Sequence, residues 1–170
     1  IGGAGASAAA VSGSVSLNDI ANTVEARISG GADVEADGAL LVQALDDAAI
    51  ISITGAGAGA AGAAVGDSVS TNEIDSVIRA VIDGATAAGA SVTVDAEARP
   101  DMVVIAIGGA GAAGFAAGGG IALNDISNTV EALVRGGALV TASGNLTVRA
   151  SVTENFTGAI ADFILREVGL

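Results

Sequence analysis

The stretch LNDIANTVEARISG at 17–30 returns at 123–136 as LNDISNTVEALVRG. A diverged copy, TNEIDSVIRAVIDG, lies between them at 71–84. We call this stretch the cassette. Repetition at a fixed period is typical of solenoids, in which each repeat gains stability by packing on its neighbours. The copies therefore predict a single repetitive solenoid over 1–170 rather than a pair of globular domains.

The spacing of the cassettes sets the length of the repeat. Their equivalent asparagines, 54 and 52 residues apart, are Asn18, Asn72 and Asn124. A period of about 53 residues divides the chain roughly into repeats 1–54, 55–107 and 108–160, followed by a tail at 161–170. No shift in composition marks a domain boundary, so we treat the repeats as one body.

Each repeat contains the same parts in the same order. A run of Gly and Ala precedes each cassette, and short alternating segments follow it. In 146–150, for example, the apolar side chains of Leu146, Val148 and Ala150 alternate with two polar ones. Period-two alternation of this kind predicts half-buried β-strands.

The cassette itself fits two secondary structures. As a strand, it points Ile20, Asn22, Val24, Ala26 and Ile28 inward. As a helix, it aligns Ile20, Val24 and Ile28 along one face. We favour the strand, because the rest of each repeat is strand-like and Thr and Val suit strands. The alternative is an α+β repeat in which the cassette is a helix.

The repeat length predicts an all-β solenoid. About 53 residues divide into two coils of roughly 26 residues, each with three strands of about five or six residues. Stacked coils pair about 4.8 Å apart, so six coils predict a height of roughly 30 Å. Aromatic residues make up only 2% of the chain. We therefore expect closely spaced walls at the Gly and Ala runs, with Val, Ile and Leu filling a wider part.

Asparagines at equivalent positions are the candidate site residues. In a solenoid such residues stack, and their amides can donate and accept along the axis, as in cross-β ladders. The structural ladder predicted in this way comprises Asn18, Asn72, Asn124, Asn22 and Asn128. In the middle copy, Ser76 stands in place of the second asparagine. The alternatives are a helix N-cap in each copy and a ligand site.

Composition argues against catalysis and cofactor binding. The chain has no His, Cys or Lys, which removes the commonest general base and the thiolate ligands of metals. Gly109-x-Gly111-x-x-Gly114 matches a dinucleotide fingerprint, but it lies in a Gly/Ala run that recurs with the repeat. Asp46-Asp47 has no counterpart in the other repeats, which argues against a repeated calcium site. We predict no catalytic residues, no metal site and no cofactor.

The net charge of −13, from 19 acidic and 6 basic residues, narrows the choice of partners. Such a body repels nucleic acid and anionic membranes, so no nucleic-acid partner is expected. The carboxylates are expected to form a solvated outer face, and a high-salt habitat is a second interpretation. The uncharged run 102–123 is long enough to span a bilayer. Its many glycines and its lack of an aromatic belt argue against membrane spanning.

The cassette, followed by a strand pair and a Gly/Ala run, resembles the repeats of large bacterial filamentous adhesins. These are the filamentous-haemagglutinin-like and leukotoxin-like filamentous surface proteins. The resemblance rests on the motif Asn-Asp-Ile-x-Asn-Thr-x-Glu-Ala in the first and third copies, and it covers all three repeats. It implies a right-handed parallel β-helix, secreted to the bacterial cell surface, that serves as a fibre or stalk. The middle copy departs from the motif at Ser76 and Val77.

We therefore expect an extracellular structural segment that mediates attachment or assembly without catalysis. Its partner would be itself, end to end, as further repeats of one chain or as other copies in a filament. The chain begins inside a repeat and without Met, so we expect a fragment of a longer protein. One alternative is a binding module whose flat side engages a glycan, ice or a host surface. A more remote alternative is a carboxylate-based enzyme that cleaves glycans.

Overall fold

The computed structural model describes residues 1–153, which form fifteen β-strands and no helix. In chain order the strands are β1 (Gly2–Ala6), β2 (Ala9–Ile20), β3 (Thr23–Ser29), β4 (Asp33–Glu35), β5 (Ala39–Asp46), β6 (Ala49–Ala60), β7 (Ala63–Ile74), β8 (Val77–Asp83), β9 (Thr86–Gly89), β10 (Ser91–Ala98), β11 (Asp101–Ala112), β12 (Phe115–Ile126), β13 (Thr129–Arg135), β14 (Leu139–Ala142) and β15 (Leu146–Val152). The predicted tail at 161–170 lies outside the described residues.

These strands form five parallel sheets of three strands each. They are sheet I (β1, β6, β11), sheet II (β2, β7, β12), sheet III (β3, β8, β13), sheet IV (β4, β9, β14) and sheet V (β5, β10, β15). Each sheet takes one strand from each repeat, in register. The prediction of an all-β fold with stacked parallel repeats is therefore confirmed.

One repeat forms one layer of the stack. We call β1–β5 layer 1, β6–β10 layer 2 and β11–β15 layer 3. Asn18 pairs with Asn72 and Asn72 with Asn124, so neighbouring layers are offset by one whole repeat. The prediction of two coils per repeat and six coils in all is wrong. The described residues form three layers, which at about 4.8 Å per layer span about 14 Å rather than 30 Å.

The length of two strands explains this difference. In layer 2, β6 and β7 have 12 residues each, about twice the usual strand length. Together they use nearly half of the repeat, so each repeat forms one layer where shorter strands would allow two.

Sheets I and II pack face to face and form a thin two-sheet unit, which we call the blade. Its tip is filled by alanines: Ala10, Ala58 and Ala64 are buried between the sheets, and Ala4, Ala60, Ala110 and Ala112 pack against them. Glycine is required where the walls approach most closely. A Cβ at Gly108 would overlap the carbonyl oxygen of Gly119, and one at Gly120 would overlap that of Ala106. The thin core expected from the Gly and Ala runs therefore lies inside the blade.

Sheets III, IV and V surround the larger apolar core, and we call this part the body. Its fully buried members in layer 2 include Ile78, Ile82, Val92 and Val94. A smaller cluster of Ala48, Ile50 and Ile74 fills the neck between body and blade. Branched aliphatic side chains occupy the wide part of each layer because it has room for them.

The cassette is strand in all three copies, so the helical alternative is wrong. It is not one straight strand, however, because β2 ends at Ile20 and β3 begins at Thr23. Val24, Ala26 and Ile28 pack against the body core, as the strand interpretation predicts. Asn22 does not point inward as expected, since it lies exposed at the corner between the two strands.

At the last residue of each cassette the chain turns from sheet III into sheet IV. Gly30, Gly84 and Gly136 have φ angles of 72°, 57° and 67°. A side chain is strained in this left-handed region, and glycine is not. The glycine that ends every cassette is therefore set by backbone conformation at this corner.

Candidate functional site: polar rows between the layers

The asparagines of sheet II form a row of hydrogen bonds along the stack. The Nδ2 of Asn18 donates to the Oδ1 of Asn72 at 2.7 Å, and the Nδ2 of Asn72 donates to the Oδ1 of Asn124 at 2.9 Å. Asn72, in the middle layer, is only 1% exposed. We call these residues the asparagine row. It joins the layers through side chains, in addition to the backbone pairing of the sheet.

Serine hydroxyls extend this row across the blade. The amides of Asn18 and Asn72 also donate to Ser16 Oγ at 3.0 Å and to Ser70 Oγ at 3.1 Å. Ser52, on the opposite sheet, lies 2.9 Å from Ser70 and 3.2 Å from Ser16. The polar network therefore connects the two sheets of the blade as well as layers 1 and 2.

Layer 3 does not continue the hydroxyl network. Val104 pairs with Ser52, and Ala122 pairs with Ser70, so the serine positions become apolar in the third repeat. Asn124 continues the asparagine row in layer 3, although it has no neighbouring serine hydroxyl like those beside Asn18 and Asn72. The asparagine is thus the polar interior position that all three layers share at this level of the blade.

The second predicted asparagine position forms a different kind of contact. Ser76 accepts a bond from the Asn22 backbone N–H at 3.4 Å, and its own N–H donates to Asn128 Oδ1 at 2.9 Å. The amide of Asn22 instead donates to Asp46 at 3.0 Å. Asn22 and Asn128 therefore do not continue one amide ladder. At this stacked corner Asn128 accepts from a backbone N–H, whereas the Asn22 side chain binds a carboxylate.

Charged side chains form rows on the outside of sheet III. Glu25, Arg79 and Glu131 occupy paired positions, and Arg79 binds Glu131 at 2.6 Å. Asp83 of layer 2 lies between Arg27 and Arg135, at 2.6 Å and 3.2 Å. These exposed pairs contribute little individually. Their alternation of charge along the axis favours in-register stacking over a slipped pairing.

Sheet V carries a more enclosed charged group. The Arg149 guanidinium makes two hydrogen bonds to Asp95, at 2.9 Å and 3.0 Å, and these bonds hold the pKa of that carboxyl below its ordinary value. Gln43 adds a third bond to Asp95 from layer 1. Arg99 likewise lowers the pKa of Glu97 through a pair of hydrogen bonds. The row across sheet V thus links all three layers.

The remaining sequence candidates lie apart from one another. Gly109 and Gly111 are on an outward face of β11, and Gly114 lies at the turn before β12, so they do not form a loop that opens a helix. Asp46 is engaged by Asn22. Within residues 1–153, no cluster of three or more carboxylates is arranged to hold a metal ion.

Sequence reasoning missed the serine network. Its signal was present: Ser12, Ser14, Ser16 and Asn18 alternate with apolar residues over one strand. The usual assignment of apolar residues to the interior would place these polar side chains outside. The blade does the reverse in layers 1 and 2, where the close walls leave room between them for Ser and Ala side chains; in layer 3, Val104 and Ala122 replace the facing pair Ser52 and Ser70.

Comparison of the chain with protein-family models, curated proteins and solved structures gives no match. Across the described 153 residues, none belongs to a helix that is long and apolar enough to cross a membrane. The polar rows and the layer architecture are therefore the observations on which a functional proposal rests.

Proposed function

We propose that this chain is a structural segment of an extracellular fibre or adhesin stalk at the bacterial cell surface. The observation that carries the proposal is the repetition of the same axial contacts from one layer to the next. All five sheets pair in parallel along the stack, and the asparagine row runs with them. A body whose contacts repeat along one axis is suited to being lengthened along that axis by further layers.

The proposal includes a closed, right-handed parallel β-helix. Within each layer the chain visits sheets I to V in order and then enters sheet I of the next layer. Connections between parallel strands of one sheet are right-handed in nearly all proteins, because twisted strands pack back that way. Contacts between sheets I and II and between sheets III and V support closure of each circuit.

The two ends of the asparagine row are complementary. Each amide donates toward layer 3, so, within the described residues, Asn18 has an unpaired acceptor at one end and Asn124 an unpaired donor at the other. The outer strands of layers 1 and 3 also present backbone groups that pair with no other described strand. These features support end-to-end addition of further layers, from the same chain or from a second copy.

Electron microscopy of the full 170-residue chain at rising concentration tests this proposal. We expect filaments of constant width, with an axial repeat of about 4.8 Å in fibre diffraction. A chain that remains a discrete monomer at every concentration would contradict assembly between copies. The remaining possibility is that further repeats of one longer chain extend the stack. A tandem fusion of two copies tests it, because stacked copies should unfold as one cooperative unit.

A proline in the outer strand provides the control. In β15, the backbone N–H groups of residues at even positions point away from layer 2, because odd positions pair with it, as Thr153 does with Ala98. Ala150→Pro removes one outward N–H and should shorten or abolish filaments. Ala150→Val keeps that N–H and a strand-forming side chain, so filaments should persist. Equal filament lengths in the two variants would argue against growth at this edge.

A further inference from the structure

The outer face of sheet I is apolar and exposed along most of its length. Ile51 and Ile53 of layer 2 are 75% and 63% exposed, and Ile107 of layer 3 is 61% exposed. Val103 and Ile105 complete the patch and are partly exposed. We call these five residues the aliphatic patch. Large aliphatic side chains grouped on a flat sheet mark an interaction surface.

Glycines continue the same face toward the tip of the blade. They stack in two rows, Gly3–Gly57–Gly109 and Gly5–Gly59–Gly111. A Cβ at Gly57 or Gly109 would meet no atom within 4 Å, and neither residue has a positive φ angle. Neither packing within this chain nor backbone conformation explains these glycines, and glycine weakens a strand interior. Their effect is to leave a flat surface on which a second sheet can approach closely.

The face also differs from the rest of the molecule in charge. Asp101, at the neck end, is the one charged residue on the outward positions of sheet I in the described strands. On the outer face of sheet II, by contrast, Asp19, Glu73 and Asp125 stack in register and Asp67 lies mid-strand. With a net charge of −13, two copies repel each other wherever carboxylates meet. Sheet II also exposes aliphatic side chains, among them Val15 and Leu17 at 71% and 75%, but its carboxylates share that face, so two copies meet less charge repulsion through sheet I.

We propose that the outer face of sheet I binds the same face of a second copy, giving a side-by-side pair of blades. The contact is isologous, so the aliphatic patch and the glycine rows meet their own counterparts across a two-fold axis. This proposal goes beyond the stalk function, which requires only end-to-end stacking. It gives the stalk a lateral partner, so that two solenoids run together.

The size of the face agrees with a weak pair. The two strands of 12 residues are each about 40 Å long and β1, with 5 residues, about 17 Å, so at about 4.8 Å per strand each copy offers about 460 Å². Two such faces bury about 900 Å², in the range of weak and transient interfaces. We therefore expect association to depend on concentration for this chain. Because the interface is apolar, it should not weaken in high salt, and screening of net charge should strengthen it.

Sedimentation equilibrium of the full chain, at 50 mM and 1 M salt, measures this pairing. Ile53→Asp places two buried carboxylates in the pair and should weaken association at least tenfold. Val15→Asp is the matched control, since Val15 is 71% exposed on sheet II and the change in charge is the same. Gly57→Val adds an uncharged side chain in open space; it should weaken pairing while leaving the fold intact. The proposal would be overturned if Ile53→Asp associated as strongly as the wild type, or if the wild type stayed monomeric at all concentrations.

Single cysteines give a second measure, because the chain has no cysteine of its own. Under mild oxidation, Ile53→Cys should form disulfide-linked pairs far more readily than Val15→Cys. Equal cross-linking at both positions would indicate random collision and refute the specific face.

A lipid surface is the competing occupant. Binding of the wild type to phosphatidylcholine vesicles, lost in Ile53→Asp and without any dimer in solution, would replace the proposed partner with lipid. Filament formation distinguishes the two proposals: Ile53→Asp should abolish side-by-side pairs and leave end-to-end growth unchanged, whereas Ala150→Pro should do the reverse.

Discussion

Asn18 and Asn72 are 54 residues apart in the chain and 2.7 Å apart in space, joined by a side-chain hydrogen bond from Nδ2 to Oδ1. The same bond recurs between Asn72 and Asn124. Because the middle residue both donates and accepts, its side chain is a shared element of two interfaces between layers. It therefore links the register of one layer to the register of the next.

Asn72→Ala should destabilise the chain by about 1–3 kcal/mol. The substitution removes the acceptor of Asn18 and the donor to Asn124, so two part-buried bonds are lost and each of these amides has one partner fewer. Asn124→Ala breaks one bond at an exposed end and should cost about 0.5–1.5 kcal/mol. Urea unfolding followed by circular dichroism measures both values. Equal costs for the two variants would mean that the row is not cooperative at its centre.

Glycines on the two faces of the blade should respond in opposite ways to alanine. Gly108→Ala places a Cβ on the carbonyl of Gly119 and should destabilise by about 1–3 kcal/mol through overpacking. Gly57→Ala enters open space and should stabilise by about 0.5–1 kcal/mol in dilute solution, since alanine restricts the unfolded chain. Thermal unfolding of the two variants at low concentration checks this contrast. A loss of stability in both would show that the outer glycines also serve the isolated fold.

The sheet V charges should make stability fall in acid. Hydrogen bonds from Arg149 lower the pKa of Asp95 below its ordinary 3.8, and those from Arg99 lower the pKa of Glu97 below its ordinary 4.5. A carboxyl with a lowered folded-state pKa stabilises the fold above its unfolded pKa, and the contribution disappears as pH falls through the folded value. Stability should therefore be constant above about pH 5 and decrease below it.

Asp95→Asn isolates this effect. It should be less stable than the wild type at pH 7, and the difference should shrink as the solution is made acidic, because the wild type then loses the same charge. Urea midpoints from pH 7 to pH 2.5 give the comparison. A difference between the two proteins that does not change with pH would assign the role of Asp95 to hydrogen bonding alone.

Glu73→Gln should stabilise the chain at neutral pH by about 0.2–1 kcal/mol. Glu73 lies in register between Asp19 and Asp125, and like charges on directly paired positions repel. The gain should decrease in 1 M salt, where these exposed charges are screened. Glu73→Ala is less suitable, because it also changes strand propensity. A gain that persists in high salt would point to a cause other than charge repulsion.

Several features of this protein follow from the sequence alone. The three cassettes give the number of repeats and their parallel stacking, since equivalent residues of a solenoid must pair. They also place Asn18, Asn72 and Asn124 in one row. Alternation in 146–150 and its counterparts gives the strands of sheet V. The near absence of aromatic residues predicts the thin, Gly- and Ala-filled part of the core.

The number of layers per repeat was decided by the tertiary structure. A repeat of about 53 residues can form two layers of short strands or one layer that includes two long strands. The local sequence pattern is the same in both arrangements and does not distinguish them. The choice depends on β6 and β7, which run the full length of the blade and reverse at Ala61 and Gly62. That reversal is fixed by stacked neighbours: the N–H groups of Gly62 and Ala63 donate to Ala8 of the layer below.

The sequence also did not determine which face of each blade strand is buried. Period-two alternation shows that Ser12, Ser14 and Ser16 share one face and that Val11, Val15 and Leu17 share the other, but not which face is buried. Hydrophobicity alone would bury the aliphatic side chains. The distance between sheets I and II decides otherwise: the hydroxyls of Ser52 and Ser70 lie 2.9 Å apart and satisfy each other, which leaves no room for two facing aliphatic side chains. Steric fit between two walls is a property of the folded layer, and no single strand contains it.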